Sequence, residues 1–289
     1  MIETAELSAL VGRHFSEDNL QERLELATEV AECFLTSLFG DRNSENYFGK
    51  DMAQCEKRIK KLQIISSRVK SRDSLVRKIE KRLQRGDTGT PESILQSFTD
   101  LAGVRAVFTT TADVRSAQKW IKEYFKIDEA NSEDWLENMD EDEFGYLSVH
   151  EVIELDGAFF SCDAVQNALK MLRRGRLERE FIRKGFDTGF LDKFFVDGVL
   201  DVSAVQSLFA QLPVKLEIQL RSMLQHVWAE LAHDTTYKEN GVALPRDTRR
   251  KLNAIAAILE TSDDLINGFV QTVYEYSPEK EKIILKKNI

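Results

Sequence analysis

Residues 213–220, PVKLEIQL, alternate without a break between apolar and polar side chains. A strand has a period of two, so Val214, Leu216, Ile218 and Leu220 share one face and Lys215, Glu217 and Gln219 the other. Such a segment needs a sheet with one face in the core and one face polar. Helical spacing begins directly afterwards. Over 222–236, Met223, Leu224, Val227, Trp228, Leu231 and Ala232 form an inward stripe. His226, Glu230, His233 and Tyr237 fall at i, i+4, i+7 and i+11 on the opposite face. A carboxylate, two imidazoles, a phenol and Arg221 thus converge just beyond the strand. This face reads either as a polar surface in water or as a site. Glu230-x-x-His233 resembles half of a helical carboxylate–histidine metal site, but a second copy is missing.

Two further strands are expected. Residues 101–110 (LAGVRAVFTT) read as a mostly buried strand, and 146–155 (YLSVHEVIEL) as a partly alternating one. Helices are expected over 92–99, over 113–126 (apolar face Val114, Ala117, Trp120, Ile121, Tyr124 and Phe125), from about 163 to 200, and from about 246 to 273. Strands separated by helices predict a single α/β or α+β core. The expected division is an N-terminal helical region over 1–55, a main domain over 56–240 with a helical insertion at about 163–210, and a C-terminal helix with a basic tail over 241–289.

With 14 glycines and 4 prolines in 289 residues, breakers are scarce, and collagen-like or low-complexity folds are excluded. No run approaches the ~18 uncharged apolar residues of a membrane helix. The start, MIETAELSAL, lacks the basic and apolar regions of a secretory signal. Cys33, Cys55 and Cys162 are widely spaced and match no zinc pattern, which predicts free thiols in a reducing cytoplasm.

The net charge of −9 conceals strong segregation. Residues 56–85 hold Lys57, Arg58, Lys60, Lys61, Arg68, Lys70, Arg72, Arg77, Lys78, Lys81, Arg82 and Arg85 against Glu56, Asp73 and Glu80. Within them, Lys70, Ser74 and Lys78 are spaced by four, which predicts one helix face suited to a polyphosphate. Residues 128–145 carry nine acidic side chains and no basic one, which predicts a solvated loop. A second basic run (Lys170, Arg173, Arg174, Arg176, Arg179, Arg183 and Lys184) reads either as an RNA-binding helix or as an exposed helix with Glu178 and Glu180 interleaved. Asp100 stands directly before a buried strand and Arg105 inside it. A buried arginine needs an anionic partner, either a structural carboxylate or a phosphate. Two carboxylates at neighbouring strand ends, Asp100 and Glu217, suit a divalent cation completed by substrate phosphates.

The order of these segments carries a resemblance. SRVKSRDSLVRKI (67–79), TDLAGVRAV (99–107), FGYLSVHEVIEL (144–155) and EIQLRSMLQHVWAELAHDTTYK (217–238) follow one another as in the synthetase domain of the RelA/SpoT alarmone family. The chain resembles a short, synthetase-only member over roughly residues 55–240. The resemblance implies an α+β fold: a nucleotidyltransferase-like mixed β-sheet flanked by helices, with helical additions at both ends and a helical insertion. It implies an ATP:nucleotide 3′-pyrophosphotransferase, which moves the β,γ-pyrophosphate of ATP to the 3′-hydroxyl of GDP or GTP and leaves AMP and ppGpp or pppGpp.

By motif, Arg68, Lys70, Ser74, Lys78 and Arg105 would grip the ATP phosphates. Asp100 and Glu217 would be the catalytic carboxylates and hold Mg²⁺, with Glu217 helping to deprotonate the attacking hydroxyl. Tyr146 would stack on the acceptor base, with His150 near the acceptor, and Gln219, Arg221 and His233 in support. Partners expected from the resemblance are ATP, a guanosine nucleotide and a second copy of the chain in a homo-oligomer.

The sequence departs from the family pattern at DEDEFGYLS (140–148), where Asp142, Glu143 and Phe144 precede Gly145 and Leu147 follows Tyr146. A carboxylate where an acceptor phosphate would sit is repulsive. This keeps open a toxin-like relative acting on adenosine nucleotides or the tRNA 3′ end, which would need a neutralising antitoxin. A non-catalytic nucleotide sensor is the remaining alternative. No HDxxED hydrolase motif is present, and no alarmone hydrolysis is expected.

Overall fold

The computed structural model describes residues 4–40, 62–138, 147–236 and 245–275. Two helices, α1 (Thr4–Ser16) and α2 (Leu20–Phe39), precede β1 (Leu62–Val69), α3 (Arg72–Gln84), α4 (Pro91–Gln96), β2 (Ala102–Phe108) and α5 (Thr111–Tyr124). Short β3 (Lys126–Ile127), β4 (Glu133–Asp134) and α6 (Trp135–Asn138) lead to β5 (Val149–Leu155). Then follow α7 (Asp163–Leu169), α8 (Arg174–Lys184), β6 (Phe195–Val196), β7 (Val199–Leu200), α9 (Val202–Gln211), β8 (Val214–Ser222), α10 (Met223–Thr236) and α11 (Arg246–Glu275).

Among the described residues, six strands form a mixed sheet in the order β1-β2-β8-β5-β3, with β4 also paired to β5. The central pair β2–β8 is parallel, whereas β1, β5, β3 and β4 are attached antiparallel. The alternation of 213–220 is realised as β8, with Leu216, Ile218 and Leu220 fully buried. Helix α2 packs on β1, β2 and β8, and α5 on β8, β2 and β5. Phe34 of α2 meets Tyr124, Phe125 and Phe159 edge-on at 5.1, 5.7 and 5.3 Å between ring centroids. The N-terminal helices and the sheet therefore share one core. Burying a ring of this size contributes roughly 1.5–3 kcal/mol.

Helix starts follow local capping chemistry. Ser71 accepts from Ser74 N, and Thr90 from Ser93 N ahead of Pro91. Thr110 and Asp113 form a reciprocal capping box at α5. Ser222 and Gln225 do the same at α10: Ser222 N donates to Gln225 Oε1 (2.8 Å), and Gln225 N donates to Ser222 Oγ (3.1 Å).

Four expectations need correction. Residues 62–69 are an edge strand, and the helix expected to carry Lys70, Ser74 and Lys78 starts only at Arg72, beyond Lys70. The stretch from 163 to 200 is helical only to Lys184. Beyond a 3₁₀ turn, Phe195–Val196 and Val199–Leu200 pair as a small hairpin around Asp197 and Gly198, whose φ angles are +50° and +76°. On α10, Val227 and Leu231 are 51% and 39% exposed, and Gln225 and Ala229 face inward instead, beside Ala232 as expected. The acidic stretch, expected as a loop, includes β4 and α6 up to Asn138. No helix among the described residues is long and apolar enough to cross a membrane.

Candidate active site

Strand register builds the site. Residues directly opposite across a ladder share a face. One row runs Ser66, Arg105, Gln219 and His150, and the next Arg68, Gly103, Glu217 and Val152. The polar residues of four strands thus meet on the sheet face turned away from α2. Where β1 ends, Lys70 N donates to Leu101 O (2.8 Å), which sets Lys70 beside Asp100. Gly103 is required here, because a Cβ at this position would lie 2.7 Å from the Glu217 carbonyl oxygen. The result is an open cleft lined by Ser66, Arg68, Lys70, Asp100, Arg105 and Glu217 among others. Its empty volume is about 520 Å³, with the open solvent at the mouth included.

The cleft is electrically dense. Asp100 accepts from both Lys70 and Lys78, the latter at 2.8 and 2.7 Å. Lys78 also stands 4.4 Å from the Phe98 ring centroid. Burial raises the Asp100 pKa, but the hydrogen bonds and charges of the two lysines outweigh it and hold the carboxyl below its ordinary range. Burial lowers Lys70, only partly offset by Asp100. Glu217 is raised by burial, yet ends below its ordinary value through His150 and Gln219. His150 Nδ1 lies 2.9 Å from Glu217 Oε1, and Gln219 Nε2 donates to Glu217 Oε2 (2.7 Å). Asp100 itself pushes Glu217 upward, so the two carboxylates feel one another across the cleft. Two anions and several cations around one opening fit a phosphorylated ligand better than a neutral one.

Residues 67–169 match the family model described as the region found in RelA / SpoT proteins. The chain carries a RelA/SpoT region. Small alarmone synthetase 1 from Bacillus subtilis matches at 15% identity and TM-score 0.54, over 90% of this chain and 99% of that one. The same protein bound to its product pppGpp gives 15% and 0.55, over 90% and 98%. At this identity the likeness is one of fold: an α+β, nucleotidyltransferase-like sheet flanked by helices. No curated protein sequence gives a significant match.

Within and beside the RelA/SpoT region, the structure gathers most of the expected residues. Arg68, Lys70, Asp100, Arg105, Glu217 and Gln219 line the cleft. Lys78 joins through Asp100 and His150 through Glu217. Lys70, Ser74 and Lys78 do not share a helix face, because α3 begins only at Arg72. Ser74 instead sits in the first turn of α3, its hydroxyl 2.9 Å from that of Ser71, and does not line the cleft. Arg221 is buried; its Nε donates to Ser148 Oγ (3.3 Å) and its Nη2 to Gln219 Oε1 (3.2 Å). Tyr146 lies outside the described residues, and of His233 only the backbone is described, within α10. Glu230, read as half a metal site, accepts from Arg105 Nη1 at 2.7 Å instead. The partner of Arg105 is therefore a carboxylate from α10.

The second basic run has a different fate. Arg176 Nε lies 2.8 Å from Glu29 Oε2, and its Nη2 bonds Glu32. Lys184 bonds both oxygens of Glu25 at 2.6 Å. These buried glutamates of α2 take up Arg176 and Lys184, and Arg174 and Arg183 of α8 pair with Asp192 and Glu180, which argues against an RNA surface there. Cys33 and Cys162 are free and half-buried, as expected; Cys55 lies outside the described residues. Burial pushes the Cys33 thiol up to about 11.

Proposed function

We propose that the chain is an ATP-dependent pyrophosphokinase that transfers the β,γ-pyrophosphoryl group of ATP to the 3′-hydroxyl of a guanosine nucleotide. The observation that carries this reading is the cleft of Arg68, Lys70, Arg105, Asp100 and Glu217 on one sheet face of a RelA/SpoT region. The solved relatives bound to pppGpp and to AMPCPP support nucleotides as the ligands.

Arg68, Lys70 and Arg105 would neutralise and align the triphosphate, which phosphoryl transfer needs more than covalent help. The acceptor 3′-oxygen forms a bond to the β-phosphorus. The bond from that phosphorus to the α,β-bridging oxygen breaks, and AMP leaves with this oxygen. The hydroxyl proton passes to the Glu217–His150 pair. Glu217 is held ionised, so it accepts a hydrogen bond from the hydroxyl before transfer. Asp100 and Glu217 would hold a divalent cation such as Mg²⁺. Two carboxylates beside a phosphate-binding cleft, close enough for Asp100 to raise the proton affinity of Glu217, fit that ion. When bound, it would supply charge neutralisation on the phosphates. Among the described residues no group of three metal-ligating side chains stands together, so substrate oxygens would complete its shell.

One sequence observation favours a second reading. Asp142 and Glu143 ahead of Gly145 oppose an acceptor with free 5′-phosphates, which suits a tRNA 3′ end better than a nucleoside di- or triphosphate. Thin-layer chromatography of γ-labelled ATP with Mg²⁺ and GDP, GTP, ADP, ATP or tRNA tests both. Label on a guanosine nucleotide, lost in Glu217→Gln, is the expected result. Label only on adenosine nucleotides or tRNA overturns the acceptor. ATP binding without AMP release points to a sensor.

A further inference from the structure

We propose that Glu230 is a positioning residue for the donor nucleotide: from α10 it holds the Arg105 guanidinium in the cleft wall, with its remaining N–H edge turned to the phosphates. This rests on the reading that the cleft takes ATP.

Arg105 is fixed on two sides. Its Nη1 donates to Glu230 Oε1 at 2.7 Å, and its Nε to Gln219 Oε1 at 3.3 Å. Gln219 cannot flip without losing partners. Its oxygen takes Arg105 and Arg221 (3.2 Å), and its amide nitrogen donates to Glu217 at 2.7 Å. Glu230, Arg105, Gln219, Glu217 and His150 therefore form one continuous chain of contacts from the helix to the candidate proton acceptor. His226, one turn before Glu230, stays 3.7 Å from its carboxylate, beyond hydrogen-bond reach, so Arg105 is the shorter contact.

The fork geometry decides what this pairing does. A guanidinium presents five donors in a plane, and two of its edges are taken here. Nη2 makes none of the described hydrogen bonds, and Arg105 lines the cleft. A free arginine would lose side-chain entropy on gripping a phosphate. One already held by Glu230 and Gln219 loses less, and the difference appears as affinity. The Glu230 side chain is 55% exposed, so solvent screening limits the gain.

The test uses the full chain, with an unhydrolysable ATP analogue in calorimetry and AMP release in steady state. Glu230→Gln is expected to raise the analogue Kd and the ATP KM about five-fold, the scale of one exposed ion pair, while kcat changes much less. Glu230→Asp is expected to recover part of the loss. In an Arg105→Ala background, Glu230→Gln should add nothing, because its effect runs through Arg105. Analogue binding unchanged or tightened in Glu230→Gln overturns the proposal; tightening would mean that the carboxylate competes with the phosphates. An equal loss in both backgrounds overturns it as well, and an unfolded Glu230→Gln is replaced by Glu230→Ala in the same cycle. If the wild-type chain fails to bind the analogue, the donor-site reading falls and the proposal with it. If wild type binds and only Arg105→Ala loses binding, Glu230 alone is refuted.

Discussion

Two basic segments of this chain look alike in sequence and do opposite things. Residues 68–78 present Arg68, Lys70 and Lys78 around a cleft, where a single carboxylate, Asp100, serves two lysines. Residues 174–184 present Arg176 and Lys184 to three buried glutamates of α2. Local stoichiometry separates the two. The first segment has more positive charge than its own anions use, so it can take a ligand's. The second is matched from within, and its charge fastens α8 to the N-terminal helix.

Substitutions sharpen this contrast, beginning with the largest effect. Glu217→Gln and Asp100→Asn should lower pyrophosphoryl transfer by at least ~100-fold, the scale of removing one preorganised electrostatic group, as measured by AMP release. Wild-type circular dichroism would accompany that loss. Gly103→Val should also cut transfer, by about ten-fold or more, because its side chain would drive the strand away from Glu217. A variant as active as wild type would disprove the close approach.

The next pair sets the two basic segments directly against each other. Lys70→Ala should raise the ATP KM about ten-fold with little change in melting temperature. Arg176→Ala should leave the ATP KM alone and destabilise the fold by about 1–3 kcal/mol, since it strands buried carboxylates. Denaturant titration and kinetics on both proteins check this, and a KM effect in Arg176→Ala would break the comparison.

The smallest effect is a pH slope. Burial raises Glu29 to about 7, only partly opposed by Arg176. Its folded pKa exceeds the unfolded value, so the folded chain binds the proton more tightly. Its contribution is complete below about 4.5 and disappears as pH rises through about 7. Glu29→Gln should flatten stability over that window in urea titrations at stepped pH.

Much of the site was legible because β8 and α10 state their periods openly. Glu217, Gln219 and the polar face followed from alternation alone, and Asp100 and Arg105 from charge beside a buried strand. β1 was not legible, since LQIISSRV is an edge strand whose exposed side chains break the apolar pattern. Reading a helix through Lys70 ignored Ser71, a capping residue that marks where α3 starts. The hairpin at 195–200 had its own sign in Asp197-Gly198, a pair that favours positive φ. The inward face of α10 was misjudged because Gln225 is buried by its capping bond rather than by apolarity. The Glu230–Arg105 contact spans more than a hundred residues, and no local pattern encodes it.

The parallel pairing of β2 with β8 has a consequence for the order of folding. Gly103 and Glu217 are neighbours in the sheet yet lie more than a hundred positions apart along the chain. Such closures are slow, and they cannot begin until the later strand exists. A nascent or truncated chain ending before β8 can form the β1–β2 ladder with Arg68 and Lys70, but it has neither the second carboxylate nor the helix that fixes Arg105. On the proposed function, turnover would be available only to the finished molecule, and the first trace of product in a refolding experiment would come no earlier than its central strand.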